Sequence, residues 1–90
     1  MDINKGGHIV NLYHLRYFVT LAEMKHYTRA AEYLCISQPS LSHAIRQMEK
    51  ELGVALFEKE GRHTVMTRFG EEFLEYARQS LAVLDEGVAS

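Results

Sequence analysis

The amino-acid sequence predicts a mainly α-helical fold with one small β-hairpin. Apolar residues recur at steps of three and four in four segments, only three residues separate the second segment from the third, and short apolar runs flank a charged turn between the third and the fourth. The chain has 90 residues, of which 47% are hydrophobic and 24% are charged. This length accommodates one small domain.

Residues 1–9 have no periodic apolar pattern, and we expect them to be a flexible leader to a domain over residues 10–69. The first helix of that domain is amphipathic and ends near Met24. Its apolar positions are spaced three and four residues apart: Leu12, Leu15, Phe18, Val19 and Ala22. A short second helix contains Ala30, Ala31 and Leu34. It begins at Tyr27 or Thr28, since a threonine hydroxyl can accept a hydrogen bond from a free backbone amide.

The third helix begins after a tight turn at residues 35–37. Either Ser37 or Gln38 caps it, and Pro39 suits the first helical turn because a missing amide costs nothing there. Its buried positions are spaced four, three and four residues apart: Leu41, Ile45, Met48 and Leu52. Gly53 ends the helix, because glycine readily adopts the left-handed conformation of a C-terminal cap.

Residues 54–67 are predicted to form the hairpin. One strand covers residues 54–57, a charged turn covers 58–63, and a second strand covers 64–67. The chain becomes helical again over residues 70–90, with apolar residues at alternating steps of three and four: Leu74, Ala77, Leu81, Leu84 and Val88. This repeat fits a long linker helix that pairs with a second copy to form a dimer, or a terminal helix that packs on its own domain.

Together these elements define a winged helix-turn-helix: a three-helix core plus a small β-hairpin wing, with the helix-turn-helix at residues 27–46. The exposed start of the third helix fits a major groove about 12 Å wide. We expect its leading residues to contact bases or phosphates: Ser37, Gln38, Pro39, Ser40, Ser42, His43 and Arg46. Phosphate or minor-groove contacts are expected from a second set: Thr28, Arg29, Lys59, Arg62 and His63.

The charge distribution supports DNA as a partner only locally. The formal net charge is −2, so the whole chain has no basic field that would attract nucleic acid. Seven of the 10 Lys and Arg residues nevertheless lie within residues 25–68, which contain the proposed reader. This surplus over the local acidic residues is slight.

The stretch from Leu15 to Ala77 closely resembles the DNA-binding domain of LysR-type transcriptional regulators. The resemblance rests on ordered, ungapped features: Ala30-Ala31, Ser37-Gln38-Pro39, Ser42, Leu56-Phe57, Gly61-Arg62, Thr67 and Gly70. It implies a regulator that binds an interrupted palindrome near a promoter as a homodimer joined through the last helix, or as a tetramer in a longer protein. His43 and Lys59 depart from the family pattern, which commonly has arginine at both positions.

Members of that family are about three times as long and carry a C-terminal effector-binding domain. The resemblance therefore implies a fragment truncated before that domain, with no cofactor in these residues and a small-molecule inducer bound by the absent part. We expect a soluble bacterial protein of the cytoplasm, associated with the nucleoid and not with a membrane.

Two other classes of function compete with DNA binding. The acidic balance of the chain fits a winged-helix protein-interaction module that does not bind DNA. An enzyme is not expected, because the five histidines lack metal-ligand spacing and the sequence has no glycine-rich phosphate loop. The single cysteine, Cys35, lies in a turn that packing explains.

Overall fold

The computed structural model describes the backbone of residues 11–89 and the side chains of residues 11–83. Its elements are α1 (Leu12–Met24), α2 (Tyr27–Leu34), α3 (Gln38–Leu52), β1 (Phe57–Glu60), β2 (His63–Met66) and α4 (Arg68–Ala89). The two strands form an antiparallel hairpin in which Phe57 is opposite Met66. This arrangement confirms the predicted winged helix-turn-helix fold class. The expected leader, residues 1–9, lies outside the described residues.

The core lies where α1, α2 and α3 meet the wing and the first half of α4. Its largest fully buried side chains come from α1, α3 and the start of the wing: Phe18, Leu21, Leu41, Ile45, Met48 and Leu56. The Phe18 ring is central to this cluster. Its centroid lies 5.4 Å from that of Phe57 and 5.3 Å from that of Phe73, so one aromatic side chain joins α1 to both the wing and α4.

α2 begins at Tyr27, one of the two predicted positions, but its cap differs from the prediction. The cap is His26, whose Nδ1 accepts a hydrogen bond from the backbone N–H of Arg29 at 3.2 Å. Thr28 lies within the helix and is exposed. The expectation that a threonine hydroxyl opens this helix was therefore wrong, because an imidazole one residue before Tyr27 supplies the acceptor.

The turn between α2 and α3 has the predicted length. Cys35 adopts a left-handed conformation with φ 60° and ends α2, and Ser37 then caps α3 by accepting the Ser40 N–H at 3.1 Å. This geometry selects Ser37 over Gln38 as the cap. Gly53 ends α3 with φ 76°, as predicted.

The wing is shifted relative to the prediction. β1 begins and ends three residues later than predicted and β2 begins and ends one residue earlier, so Glu58, Lys59 and Glu60 belong to β1, and the turn is reduced to Gly61 and Arg62. His63 is the first residue of β2 and not part of the turn. The sequence pattern misled because the charged residues that suggested a turn are exposed strand positions on a two-stranded hairpin.

The last helix begins at Arg68, before Gly70 and not after it. Thr67 fixes this start, since its hydroxyl donates to the Ala55 carbonyl at 2.6 Å and accepts the Gly70 N–H at 3.0 Å. A Cβ on Gly70 would lie only 2.2 Å from the Leu56 carbonyl oxygen. Glycine is therefore needed here because the helix crosses the wing backbone closely, and not because the helix needs a breaker.

The predicted dimer seam lies partly inside the domain. The side chains of Leu74, Ala77 and Leu81 are buried in the chain's own core, and Arg78 donates to Glu23 on α1 at 3.3 Å. This burial agrees with the second predicted role of the helix, packing on its own domain. The sequence left both roles open because a heptad pattern does not distinguish packing within a chain from packing between chains. The side chains of Leu84 and Val88, also predicted for the seam, lie outside the described residues.

Candidate nucleic-acid interface

The N-terminal turn of α3 presents the predicted reading residues to solvent. All are exposed except Ser42, which is half-buried: Ser37, Gln38, Pro39, Ser40, Ser42, His43 and Arg46. Two hydrogen bonds already link side chains in this group. The Ser37 hydroxyl donates to the Ser40 hydroxyl at 2.8 Å, and the Gln38 Nε2 donates to the Ser42 hydroxyl at 2.9 Å.

These bonds determine which hydrogen-bonding groups of the seven residues remain available to a ligand. Ser37 has a structural role as the helix cap, whereas Gln38 keeps its amide oxygen as an acceptor and its second N–H as a donor. Holding Nε2 against Ser42 orients the amide plane before any ligand arrives. An oriented amide can donate and accept at one base edge, the pattern that suits adenine in a major groove.

A cavity of about 270 Å³ lies between the start of α2, the start of α3 and the wing. It brings together five residues that were predicted to contact DNA: Thr28, Gln38, Lys59, Arg62 and His63. The remaining predicted residues do not line it: Arg29, Ser37, Pro39, Ser40, Ser42, His43 and Arg46. The wing and Gln38, the one reading residue that lines the cavity, form a concave face between α2, α3 and the hairpin.

Four residues of this cavity were missed by sequence reasoning: Lys25, His26, Tyr27 and Thr64. Lys25 occupies the left-handed C-cap of α1 with φ 56°, so the chain reverses direction there and places Lys25 and His26 beside the wing. A lysine followed by a histidine just before a helix was the available signal. It was not recognised because Thr28 offered a more common capping side chain.

Glu49 anchors the wing to α3 beneath this face. Its Oε2 accepts the backbone N–H groups of Leu56 at 2.7 Å and Phe57 at 3.2 Å. The carboxylate therefore sets where the hairpin starts.

Tyr27 lies between this anchor and the cavity. Burial raises the pKa of the Tyr27 phenol above its usual 10.0, and the Glu49 carboxylate raises it further, while Arg46 opposes the shift. The phenol therefore stays neutral at physiological pH and supports the wing from below. Tyr27 also interacts electrostatically with Arg46, which is exposed on α3.

Neither a metal centre nor a membrane span is found in the described part of the chain. No group of three His, Cys, Asp or Glu side chains among residues 11–83 is arranged to hold an ion. None of the described helices is both long and apolar enough to cross a bilayer.

The fold and the concave face define a winged helix-turn-helix DNA-binding module. Comparison with known proteins is more specific: the sequence profile described as "Bacterial regulatory helix-turn-helix protein, lysR family" matches residues 12–71. The chain therefore belongs to the LysR family of bacterial regulatory proteins.

Relatives and solved structures agree with this assignment. The chain is 44% identical over 84 residues to the RuBisCO operon transcriptional regulator of Allochromatium vinosum, covering 90% of this chain and 28% of that protein. It is 42% identical over 80 residues to the regulator BenM of Acinetobacter baylyi, covering 89% of this chain and 26% of BenM. The chain thus spans about a quarter of the length of these relatives.

Two similar structures contain DNA. The BenM DNA-binding domain in complex with catB site 1 DNA matches with a TM-score of 0.84 at 43% identity, covering 88% of each chain. The CbnR DNA-binding domain in its DNA complex matches with a TM-score of 0.83 at 33% identity, covering 88% of this chain and 91% of that one.

Proposed function

We propose that this chain is the sequence-specific DNA-binding module of a transcriptional regulator. The observation that carries the proposal is the concave face, where α2, α3 and the wing contribute Thr28, Gln38, Lys59 and Arg62 to one cavity. DNA complexes of the similar BenM and CbnR domains support it. The ligand is double-stranded DNA, and regulation of transcription is the activity of the longer protein.

The geometry supports a division of labour across this face. Gln38, Ser42 and His43 project from the first two turns of α3, where a recognition helix in the major groove meets base edges. Arg62 lies at the tip of the wing, where a guanidinium reaches a phosphate or a narrow minor groove. Arg29 and Arg46 are exposed on α2 and α3 and supply further phosphate contacts that set the register without reading sequence.

We further propose a homodimer through a face of α4 that differs from the predicted seam. Phe69, Tyr76 and Val83 are exposed by 53%, 70% and 67%, and they recur every seven residues along the helix. Half-buried Phe73 lies between the first two, and an open groove lined by Leu52, Val54 and Leu56 continues the apolar surface beside Phe69.

The spacing of this stripe favours an antiparallel pair. Phe69 and Val83 are equidistant from Tyr76, so two antiparallel helices related by a two-fold axis at Tyr76 bring Phe69 of one copy against Val83 of the other. Antiparallel packing also places the positive end of each helix dipole beside the negative end of the other, which is favourable. Such a dimer presents two copies of α3 to the two halves of an interrupted palindrome.

The remaining parts of the proposal concern the longer protein. By analogy with its family we place it at the bacterial nucleoid in the cytoplasm, as a dimer or a tetramer. We propose that a small-molecule inducer acts outside these 90 residues, and that these residues need no cofactor.

The proposal is tested by titrating the purified chain into a labelled duplex at several salt concentrations. Each phosphate contact releases counterions, so we expect log affinity to fall with log salt at a slope of about −0.9 per contact. Sedimentation of the same sample should give a dimer, and Tyr76→Glu should give a folded monomer because it places charge at the centre of the stripe. A flat salt dependence, or a monomeric wild type at concentrations that saturate DNA, would contradict the respective part.

A protein-interaction module that does not bind DNA is the second candidate. The net charge of −2 favours it, since a DNA-binding domain is more often basic. A folded chain that binds no duplex even at low salt would establish this alternative over DNA binding.

A further inference from the structure

The cavity between α2, α3 and the wing has a lining without carboxylates. Lys25, Lys59 and Arg62 contribute fixed positive charge, and neither Asp nor Glu is among its lining residues. In the chain as a whole, acidic residues outnumber Lys and Arg by 12 to 10. An acid-free, positively charged concavity on an acidic chain is typical of a site for an anion.

The wing contributes a lysine and a threonine from paired strand positions to this lining. Phe57 packs against the core, and Lys59, two residues later, lies on the same side of the hairpin opposite Thr64. Neither Glu58 nor Glu60 lines this cavity, although Glu58 lines a neighbouring one with Tyr27, Lys59 and Thr64. The basic groups therefore dominate the first cavity, with one carboxylate in the next.

His26 contributes a different kind of group to the cavity. Its Nδ1 accepts the Arg29 N–H at 3.2 Å, so this nitrogen carries no proton while it caps α2. A neutral imidazole with an accepting Nδ1 has its hydrogen on Nε2. His26 is exposed and lines the cavity, so the Nε2–H is available to a ligand while Nδ1 caps the helix.

A histidine cap differs in this respect from the common serine or threonine cap. A serine oxygen that caps a helix leaves only its own hydroxyl proton, close to the helix end, to contact a ligand. The imidazole separates the two functions onto two nitrogens on opposite sides of the ring. The first amides and the dipole of α2 add partial positive charge at the same end of the cavity.

We propose that this cavity binds one phosphate of the DNA backbone and that His26 is a neutral donor to it through Nε2. Thr28 adds a hydroxyl, and Lys25, Lys59 and Arg62 supply the charge. The inference rests on the proposed DNA-binding function and deepens it, since it assigns a backbone contact to a residue that acts without a charge. The same imidazole ring would then contact both the phosphate and the first turn of α2, so ligand binding and the helix cap would be coupled.

The charge state of each donor predicts a distinct response to salt. A lysine that neutralises a phosphate releases counterions, so its removal lowers the steepness of the salt dependence by about 0.9. A neutral N–H that donates to a phosphate releases none, so its removal weakens binding equally at every salt concentration. His26 and Lys59 should therefore be distinguishable although they serve one phosphate.

The test measures fluorescence anisotropy of a 20-base-pair duplex of arbitrary sequence across a salt series at pH 7.5, because phosphate contacts do not depend on sequence. His26→Ser keeps a capping oxygen and loses Nε2, and we expect an affinity about tenfold lower with an unchanged salt slope. Lys59→Gln should reduce the slope. Lys50→Gln removes an exposed lysine at the far end of α3 and is the matched control, with no change expected in either quantity. Circular dichroism verifies that each variant is folded, and His26→Gly provides a second variant with the same expectation, because glycine is tolerated at an N-cap and has no side-chain donor.

Three results would overturn the inference. An affinity of both His26 variants within twofold of the wild type would exclude His26 as a donor. A slope reduced by about 0.9 would make it a charged contact instead of a neutral one. Displacement of the duplex by inorganic phosphate at matched ionic strength would identify a site for the free anion and not for the DNA backbone. If the wild type itself binds no duplex, the proposed function fails and this inference with it, a result separate from the other three.

Discussion

Replacement of Gly70 by alanine tests how closely α4 packs on the wing. A Cβ at this position would lie 2.2 Å from the carbonyl oxygen of Leu56 and 3.1 Å from its carbonyl carbon. The contacting atoms belong to the backbone and cannot rotate away. The same carbonyl oxygen accepts the Thr67 N–H at 3.0 Å, so a shift that relieves the contact also weakens the hydrogen bond before the helix.

The expected magnitude follows from three opposing contributions. Helix propensity alone favours alanine over glycine by about 1 kcal/mol. Overpacking against rigid atoms costs about 1–3 kcal/mol, and the weakened hydrogen bond costs about 1 kcal/mol. The net loss in the free energy of unfolding is about 2 kcal/mol, which lowers the melting temperature of a domain of this size by about 8–16 °C.

The assay is thermal and urea denaturation followed by circular dichroism at one protein concentration. Ser80→Ala is the matched control, since Ser80 is exposed on the same helix and the substitution should stabilise by only about 0.5 kcal/mol. A Gly70→Ala protein that melts at or above the wild-type temperature would refute the close approach of α4 to Leu56.

Three further outcomes are expected. Glu49→Ala should lower the free energy of unfolding by about 2 kcal/mol, because two backbone N–H groups lose a charged acceptor. Glu49→Gln should lower it by less. Urea midpoints of both variants equal to that of the wild type would contradict this. Tyr27 should ionise last among the tyrosines when absorbance at 295 nm is followed with rising pH, since burial raises its pKa above 10.0. The neutral phenol is favoured in the folded state, so its contribution to stability is intact below pH 10 and lost as the pH rises through 10 towards the folded pKa; Tyr27→Phe should flatten that loss between pH 9 and 11. Arg62→Ala should weaken binding to all duplexes whereas Gln38→Ala should relax preference at one base position, and equal effects on both readouts would reject the division between positioning and reading contacts.

Periodicity in the sequence predicts the helices because burial requires it. The positions of α1, α2 and α3 agree with the structure to within a residue or two, since Leu41, Ile45 and Met48 can share one core only at helical spacing. Gly53 likewise ends α3 for the reason expected, a positive φ. Local chemistry sufficed wherever a residue had one plausible role.

The errors occur where a residue has several plausible roles that only tertiary contacts decide. Gly70 was predicted as the first residue of the last helix, but it lies inside α4 and admits the Leu56 carbonyl. The charged residues 58–60 suggested a turn, but the hairpin exposes them on a strand. The apolar repeat of Leu74 and Ala77 fitted both a seam between chains and packing within one, and α4 turns it towards α1.

The candidate site was predictable by residue type and less so by arrangement. Gln38, Lys59 and Arg62 follow from the motif, yet their convergence with Lys25 and His26 depends on how the hairpin folds back over α2. The spacing of residues along the chain does not indicate where the hairpin folds back over α2. The capping nitrogen of His26 is visible only in three dimensions, since imidazole is an uncommon cap.

The most direct measurement of the central claim is selection of the purified chain against randomised duplexes, followed by sequencing and by titration of the enriched sites. The account predicts enrichment of an interrupted inverted repeat, bound by two chains per duplex with an affinity that falls steeply with salt. A folded chain that enriches no sequence at any salt concentration would contradict it and would favour a winged-helix domain that binds protein.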